Sequence, residues 1–119
     1  MAVLIVHDRE IIYSPQRKTL QEAGYPVYET FSGEEALSLL EDHQDIDITL
    51  IDASLPGTGA FPLAAYIRLT SKPDMAIVLI AAFSLPVMYL ALKNGCNELI
   101  ARPCNAMKLI SVVTHLTNT

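Results

Sequence analysis

Apolar residues occur along the chain in five short runs, separated by segments in which apolar positions recur every three or four residues. The runs are rich in aliphatic and β-branched residues, and they predict strands at Ala2–Val6, Pro26–Phe31, Ile46–Ile51, Ala76–Ala81 and Glu98–Ala101. The periodic segments predict helices at Ser14–Ala23, directly after Ser32, and at Ala60–Leu69, Pro86–Lys93 and Ala106–Leu116. Because strand and helix alternate throughout, the sequence predicts an α/β fold, a doubly wound five-stranded parallel sheet of the (βα)5 type with helices on both faces.

One stretch without charged residues, Met75–Leu92, has nearly the length that a membrane span requires. Ser84 and Pro86 interrupt it, and a serine two residues before a proline is typical of a helix start. We therefore interpret the stretch as a buried strand, a turn and a helix, and we predict that this domain does not enter a membrane.

The composition fits one domain over residues 1–119, because 51% of the residues are apolar and 18% are charged. The net charge of -5 argues against nucleic-acid binding by this domain. The apolar residues after Met1 are too few for a secretory signal, and Cys96 and Cys104 have neither a redox nor a zinc-binding spacing. These features favour a cytoplasmic domain with reduced thiols.

Acidic residues stand where two of the predicted strands end. His7 and Asp8 follow the first strand, and Asp52 follows the third, immediately before a turn that contains Ser54. The carboxyl ends of parallel strands meet at one edge of a sheet, where open α/β folds bind ligands. Two neighbouring carboxylates recruit a cation, and Mg²⁺ would suit Asp8, Asp52 and the backbone carbonyl of Ser54. Asp52 could then accept a phosphoryl group, with Arg102 after the fifth strand as the neutralising cation.

Each of these residues also has a simpler interpretation. Asp52 could be a turn aspartate, Asp8 a helix cap and Arg102 a surface cation. For His7, a hydrogen bond to a neighbour is a better explanation than metal ligation, because one histidine does not make a metal site. The residue pattern alone leaves these alternatives open.

Four segments together resemble the receiver domain of two-component response regulators, and the similarity covers all 119 residues. They are Val3–Asp8, Ile51–Gly57, Ile77–Ala82 and Gly95–Pro103, in this order and spacing. The resemblance implies a flavodoxin-like fold with strand order 2-1-3-4-5, Asp52 as the phosphoacceptor, Asp8 as the acid that binds the metal directly, and Mg²⁺ as the cofactor. It also implies a histidine kinase or phosphotransfer protein as partner, a signalling role rather than a metabolic enzyme, and a cis peptide bond before Pro103.

At four positions the chain departs from the family pattern, and it therefore resembles an atypical receiver with a degenerate active site. His7 stands in place of an acid, and neutral imidazole is a poor ligand for Mg²⁺ but a good one for transition metals. Arg102 replaces the family lysine, Ala81 replaces the Ser/Thr that reports the phosphoryl group, and Leu99 replaces the aromatic residue that swings inward on activation. These departures favour an alternative function, a phosphorylation-independent pseudo-receiver that acts as an interaction or dimerisation module.

Two further classes of function have less support in the sequence. A hydrolase with Asp52 as nucleophile would need a second acid two residues later, where Ser54 stands. A flavodoxin-like cofactor binder would need stacking aromatic residues and a phosphate-binding loop, and a shared architecture is no proof of a shared function.

The predicted fourth helix has almost no polar face, because Val87–Leu92 is apolar throughout. An apolar outer face usually marks a partner surface. In the receiver family, partners and the second protomer dock on this helix, the fifth strand and the last helix. We therefore hypothesise a homodimer, or docking of an output domain, through this region. The alternative is a helix that its own domain buries.

Overall fold

The computed structural model describes residues 1–7, 15–55 and 59–117, and these ranges contain five strands and five helices. The strands are β1 (Ala2–Val6), β2 (Val27–Thr30), β3 (Ile46–Asp52), β4 (Ala76–Ala81) and β5 (Glu98–Ala101). The helices are α1 (Pro15–Glu22), α2 (Gly33–Asp42), α3 (Ala60–Thr70), α4 (Leu85–Lys93) and α5 (Ala106–Thr117). The predicted alternation of strand and helix is confirmed.

The strands form one parallel sheet in the order β2-β1-β3-β4-β5. This is the order that the resemblance implied. The strand order reverses between β1 and β3, and open α/β sheets bind ligands at the carboxyl ends of the strands beside such a reversal. At this edge of the sheet, His7 follows β1, Asp52 ends β3 and Arg102 follows β5.

The sheet separates two apolar cores, because alternate residues of each strand face opposite sides. On β1, Leu4 and Val6 belong to the first core, whereas Val3 and Ile5 belong to the second. The first core contains buried residues of α2, α3 and α4, and the second contains those of α1 and α5. Helices therefore cover both faces of the sheet, as the sequence predicts.

Polar side chains cap three of the helices. The Oγ atoms of Ser32 and Ser84 each accept a hydrogen bond from the backbone amide three residues later, at 3.1 and 3.2 Å. Oδ1 of Asn105 accepts from the amides two and three residues later, at 2.8 and 3.2 Å. Helix α4 begins one residue earlier than predicted, because Ser84 is its cap and Pro86 lies in the first turn, where its missing N–H costs nothing. The predicted cap of α1, Ser14, lies outside the described residues.

The uncharged stretch from residue 75 to residue 92 is a strand followed by a helix, β4 and α4, as predicted. Over residues 1–7, 15–55 and 59–117, no helix combines the length and the apolar character that a membrane crossing needs. The peptide bond between Arg102 and Pro103 is cis, which confirms the expectation drawn from the resemblance.

Arg68, in the last turn of α3, ties together the segments that lead into β4 and β5. Its Nη1 donates to the carbonyl of Met75 at 2.7 Å, and its Nε and Nη2 donate to the carbonyl of Gly95 at 3.1 and 2.9 Å. Nη2 also donates to Oδ1 of Asn97 at 2.8 Å, and the same oxygen accepts from the amide of Ile77 at 2.8 Å. We call this set of bonds the Arg68 clamp. It fixes the turn between α4 and β5 against the sheet.

Candidate functional site at the carboxyl edge of the sheet

Asp52 is the last residue of β3 and lies beside Ile80 of β4 in the sheet register. It is buried, although it carries a carboxylate. A turn begins directly after it, where the amide of Leu55 donates to the Asp52 carbonyl at 3.1 Å. Because burial of an unpaired charge is costly, this carboxylate needs hydrogen-bond donors close by.

Ser54 supplies two of those donors. Its backbone amide lies 2.8 Å and its hydroxyl 2.7 Å from Oδ1 of Asp52. An aspartate that accepts from the backbone two residues later forms a local turn of its own, and this turn fixes the direction of the carboxylate. The sequence predicts only the backbone carbonyl of Ser54 at this site, as a metal ligand, and that role stays a prediction.

Arg102 supplies the third donor. Its backbone amide donates to the carbonyl of Ala81 at 2.9 Å, which continues the pairing of β4 and β5 one residue past the strand. From this position its Nη2 donates to Oδ1 of Asp52 in an ion pair. The Asp52 side chain is 7% exposed and the Arg102 side chain 40%. Arg102 thus contacts the carboxylate with which the sequence analysis associated it, and it is not a free surface cation.

The two oxygens of the Asp52 carboxylate have different surroundings. Oδ1 accepts all three hydrogen bonds, from the amide and hydroxyl of Ser54 and from Arg102. No residue within the described ranges donates to Oδ2. Among the described residues, one oxygen is therefore held by three donors and the other by none.

His7 faces a neighbouring strand rather than Asp52. Its Nε2 lies 2.7 Å from Oε2 of Glu29 on β2, and its ring centroid lies 5.0 Å from that of Phe31. Oε1 of Glu29 accepts a further hydrogen bond from Arg17 at 3.1 Å. The His7 side chain is 3% exposed, and its Nδ1 is buried with no hydrogen-bond partner among the described residues. The structure thus contains the neighbour contact that we considered the better explanation for His7.

Of the predicted magnesium ligands, His7, Asp52 and Ser54 lie in the described part of the chain. Asp8 lies outside the described residues, and His7 is bonded to Glu29. A phosphoacceptor that also binds a metal ion needs one oxygen for each, but Oδ1 of Asp52 is surrounded by three donors, one of them a cation. Among the described residues, no group of three or more His, Cys, Asp or Glu side chains could hold a metal ion. These donors therefore do not fit a Mg²⁺ ion that shares Asp52 with a phosphoryl group.

The two positions at which the family carries its reporting side chains are buried and apolar here. Ala81 lies opposite Ala101 in the pairing of β4 with β5, and Leu99 lies opposite Leu79. Both Ala81 and Leu99 belong to the first apolar core. Neither position presents a hydroxyl group or an aromatic ring at the carboxyl edge.

Helix α4 presents an apolar surface to solvent. Leu85, Tyr89 and Leu92 are each more than half exposed, at 76%, 63% and 54%. We call these three residues the α4 surface. Only Ala91 of this helix is fully buried. The alternative of a helix covered by its own domain is therefore wrong for this face of α4.

A cavity of about 350 Å³ lies at the opposite edge of the sheet. Its lining includes Ile46 at the start of β3 and, from the segments around it, His43, Tyr66 and Lys72. None of the predicted site residues contributes to it. The predicted chemistry and this cavity are at opposite ends of the strands.

Three polar partners at this edge do not follow from the sequence pattern: Glu29, Arg17 and the hydroxyl of Ser54. The spacing of Asp52 and Ser54 carries a signal, because aspartate commonly bonds the backbone two residues on. Glu29 carries a weaker one, as a charged residue within a predicted strand. Its contact with His7 depends on the register of β1 against β2, in which Ile5 lies opposite Glu29.

The chain is similar in sequence and in fold to known proteins. A family model described as the response regulator receiver domain matches residues 3–114. The chain is similar to a cyclic di-GMP phosphodiesterase of Thermotoga maritima, with 28% identity over 115 residues, which is 97% of this chain but 30% of the relative. The chain thus spans less than a third of that relative's length.

Two solved structures illustrate the similarity of fold. The chemotaxis response regulator CheY4 of Vibrio cholerae is 25% identical, with a TM-score of 0.86 and 98% of each chain covered. A CheY-like response regulator receiver domain protein of Methanospirillum hungatei is 24% identical, with a TM-score of 0.86, and the match covers 98% of this chain and 94% of that one. At 24% identity the second likeness supports the fold alone.

Proposed function

Because the chain belongs to the family of response regulator receiver domains, we propose that it acts in two-component phosphorelay signalling and accepts a phosphoryl group on Asp52. Receiver domains are signalling modules, generally not enzymes, that interact with histidine kinases or phosphotransfer proteins and with output domains. In this proposal residues 1–119 form one cytoplasmic receiver, and a phosphohistidine of such a partner is the phosphoryl donor.

The unequal surroundings of the Asp52 oxygens support this role. With Oδ1 held by Ser54 and Arg102, Oδ2 is the oxygen that can attack a phosphorus atom. A P–O bond to Oδ2 forms while the P–N bond of the phosphohistidine breaks. The imidazole of the donor leaves with the electron pair of that bond and takes up a proton.

Arg102 supports the same role through its charge. A guanidinium group carries five N–H donors, and a single nitrogen of Arg102 contacts Asp52. No described residue accepts from its Nε or Nη1. These donors lie next to the carboxylate, where charge-assisted bonds to phosphoryl oxygens would stabilise the negative charge of the transferring group.

Receiver domains typically bind Mg²⁺ at an acidic active site. When bound, such an ion neutralises phosphoryl oxygens. In this chain Asp8 is the acid that we propose for it. Because the described donors do not fit the ion, Asp52 and Arg102 alone carry the transfer in this proposal.

Intact-mass measurement after incubation with acetyl phosphate, with and without Mg²⁺, tests the proposal. We expect the wild-type chain to gain the mass of one phosphoryl group and Asp52→Asn to gain none, because the amide keeps the shape but not the nucleophile. Asp47→Asn is the matched control, since Asp47 lies on the same strand at the opposite edge. If millimolar reagent gives no mass gain and a fluoroberyllate mimic gives no chemical-shift change, the acceptor role is wrong, and a phosphorylation-independent interaction module remains.

We further propose that the α4 surface, together with β5 and α5, is the partner-binding region, and that a second copy of the chain docks there. The support for it is the exposure of three large apolar side chains on one short helix. Large exposed apolar patches mark interaction surfaces. An output domain of a longer protein is the competing occupant.

Sedimentation velocity at tens of micromolar protein tests the dimer. Leu92→Lys places a charge on the α4 surface near the helix C-terminus, where a positive charge does not harm the helix. Leu69→Lys, at an 83% exposed leucine on α3, is the matched control. We expect Leu92→Lys alone to shift the distribution toward monomer. A wild-type chain that is monomeric throughout would leave the output domain as the occupant.

A further inference from the structure

Three donors converge on one oxygen of Asp52. The amide of Ser54 lies 2.8 Å and its hydroxyl 2.7 Å from Oδ1, and Nη2 of Arg102 donates to the same atom. A carboxylate oxygen offers about two lone-pair positions, so that Oδ1 has none left for a metal ion. A cation approaching Oδ1 would also meet the charge of the guanidinium at short range, in a site where the Asp52 side chain is 7% exposed.

The other side chain at this edge is committed to a different contact. His7 Nε2 is bonded to Glu29 at 2.7 Å, and the Glu29 side chain is 12% exposed. Glu29 is further held by Arg17 at 3.1 Å. To become a ligand at Asp52, His7 would have to give up its contact with the partly buried carboxylate of Glu29. Within the described residues, the protein therefore offers a cation only Oδ2 of Asp52 and backbone carbonyls.

We propose that the Arg102 guanidinium holds the cation position at Asp52, so that Arg102 and a divalent metal ion compete for this carboxylate. The inference goes beyond the acceptor role and does not depend on it, because it concerns the unmodified side chain. It makes Arg102 the residue that sets the metal affinity of the site. A Mg²⁺ ion at Oδ2 would lie on the same carboxylate as the guanidinium and would be repelled by its charge. Tight binding is therefore favoured when the guanidinium moves away, and the 40% exposed Arg102 side chain has solvent to move into.

Titration with MgCl2 alone, followed by chemical shifts of the ¹⁵N-labelled chain at constant ionic strength, tests this competition. We expect Arg102→Met to bind Mg²⁺ at least tenfold more tightly than wild type, because the stem is kept while the competing charge is removed. Adding Asp52→Asn to Arg102→Met should abolish the gain. Lys72→Met is the matched control. It also removes one positive charge and breaks one ion pair, which Lys72 forms with Asp47 at the opposite edge of the sheet. It should leave the Mg²⁺ affinity unchanged.

Equal Mg²⁺ midpoints for wild type and Arg102→Met would overturn the proposal. An equal gain in Lys72→Met would overturn it too, because the effect would then come from net charge and not from the contact at Oδ1. Arg102→Gln is a second neutral variant, to be titrated in place of the methionine variant if circular dichroism shows that the latter is unfolded. Because no phosphoryl donor is present, failure of Asp52 to become phosphorylated does not affect the outcome.

Discussion

Replacing Gly95 by alanine tests whether the Arg68 clamp holds β5 in place. Gly95 has a φ of +93°, and a residue with a Cβ atom pays about 1–2 kcal/mol in the left-handed region. A Cβ at this position would lie 2.9 Å from Cγ and 3.0 Å from Cβ of Arg68. These Arg68 atoms are close to the helix backbone, so they cannot move without displacing the guanidinium.

Displacement of the guanidinium adds a second cost. Arg68 donates to the carbonyls of Met75 and Gly95 and to the side chain of Asn97. A hydrogen bond from a charged group contributes about 1.5–3 kcal/mol to stability. Because the Arg68 clamp is partly exposed to solvent, we expect the loss of one such bond, at the lower end of this range. The two costs together predict that Gly95→Ala lowers the free energy of unfolding by about 3 kcal/mol.

Urea unfolding followed by far-UV circular dichroism measures this loss. With a slope of about 1.5 kcal/mol per molar urea, the midpoint should fall by about 2 M while the slope stays unchanged. In an Arg68→Ala background, the contact with Cγ and the hydrogen bonds are already absent. There the substitution should cost the backbone term, about 1–2 kcal/mol, together with the remaining close contact to Cβ of residue 68, and so less than in the wild-type background. An equal cost in both backgrounds would refute the clamp as the source of the effect.

Four further results are expected. Asn105→Ala removes the cap of α5 and should lower the free energy of unfolding by about 1 kcal/mol, measured by the same urea assay, whereas an unchanged midpoint would contradict the capping role. Burial raises the pKa of the Cys96 thiol to about 11, and it raises the pKa of Cys104 as well, so that iodoacetamide at pH 8 should label the less buried Cys104 first. Because the unfolded thiol of Cys96 ionises at lower pH than the folded one, stability should fall as pH rises from about 9 towards 11, and less steeply in Cys96→Ala. Fluoroberyllate should leave the sedimentation of the domain unchanged, even where chemical shifts show that it binds at Asp52.

The hydrophobic pattern was sufficient to predict the order of the elements and the parallel sheet. Strands buried on both faces appear as continuous apolar runs, and β1 and β4 are such runs. Helix ends were predictable where a capping residue stands, as at Ser32 and Ser84. What the pattern could not decide was how much of α4 the domain itself covers, because an apolar helix is typical both of a core and of a docking surface.

The site was predictable to the extent that strand ends determine it. Asp52 and Arg102 end or follow strands of one parallel sheet, so that their meeting at one edge follows from topology. The concentration of three donors on Oδ1 depends on the turn after β3 and on side-chain rotamers, which no spacing specifies. The contact of His7 with Glu29 depends on strand register, and therefore it could not be derived from the order of residues alone.

The surroundings of Ala81 and Leu99 explain why a modification of Asp52 should leave the α4 surface unchanged. A phosphoryl group at Oδ2 would find no hydroxyl at Ala81, and Leu99 is packed in the first core, where vacating its volume would cost about 2–5 kcal/mol. The α4 surface is already exposed while Arg102 occupies Oδ1. Arg102 still connects the site to β5, because it directly follows that strand and its backbone amide donates to the carbonyl of Ala81 on β4. A change in sedimentation on addition of fluoroberyllate would therefore implicate displacement of Arg102 and a shift of β5, and not the missing reporter side chains.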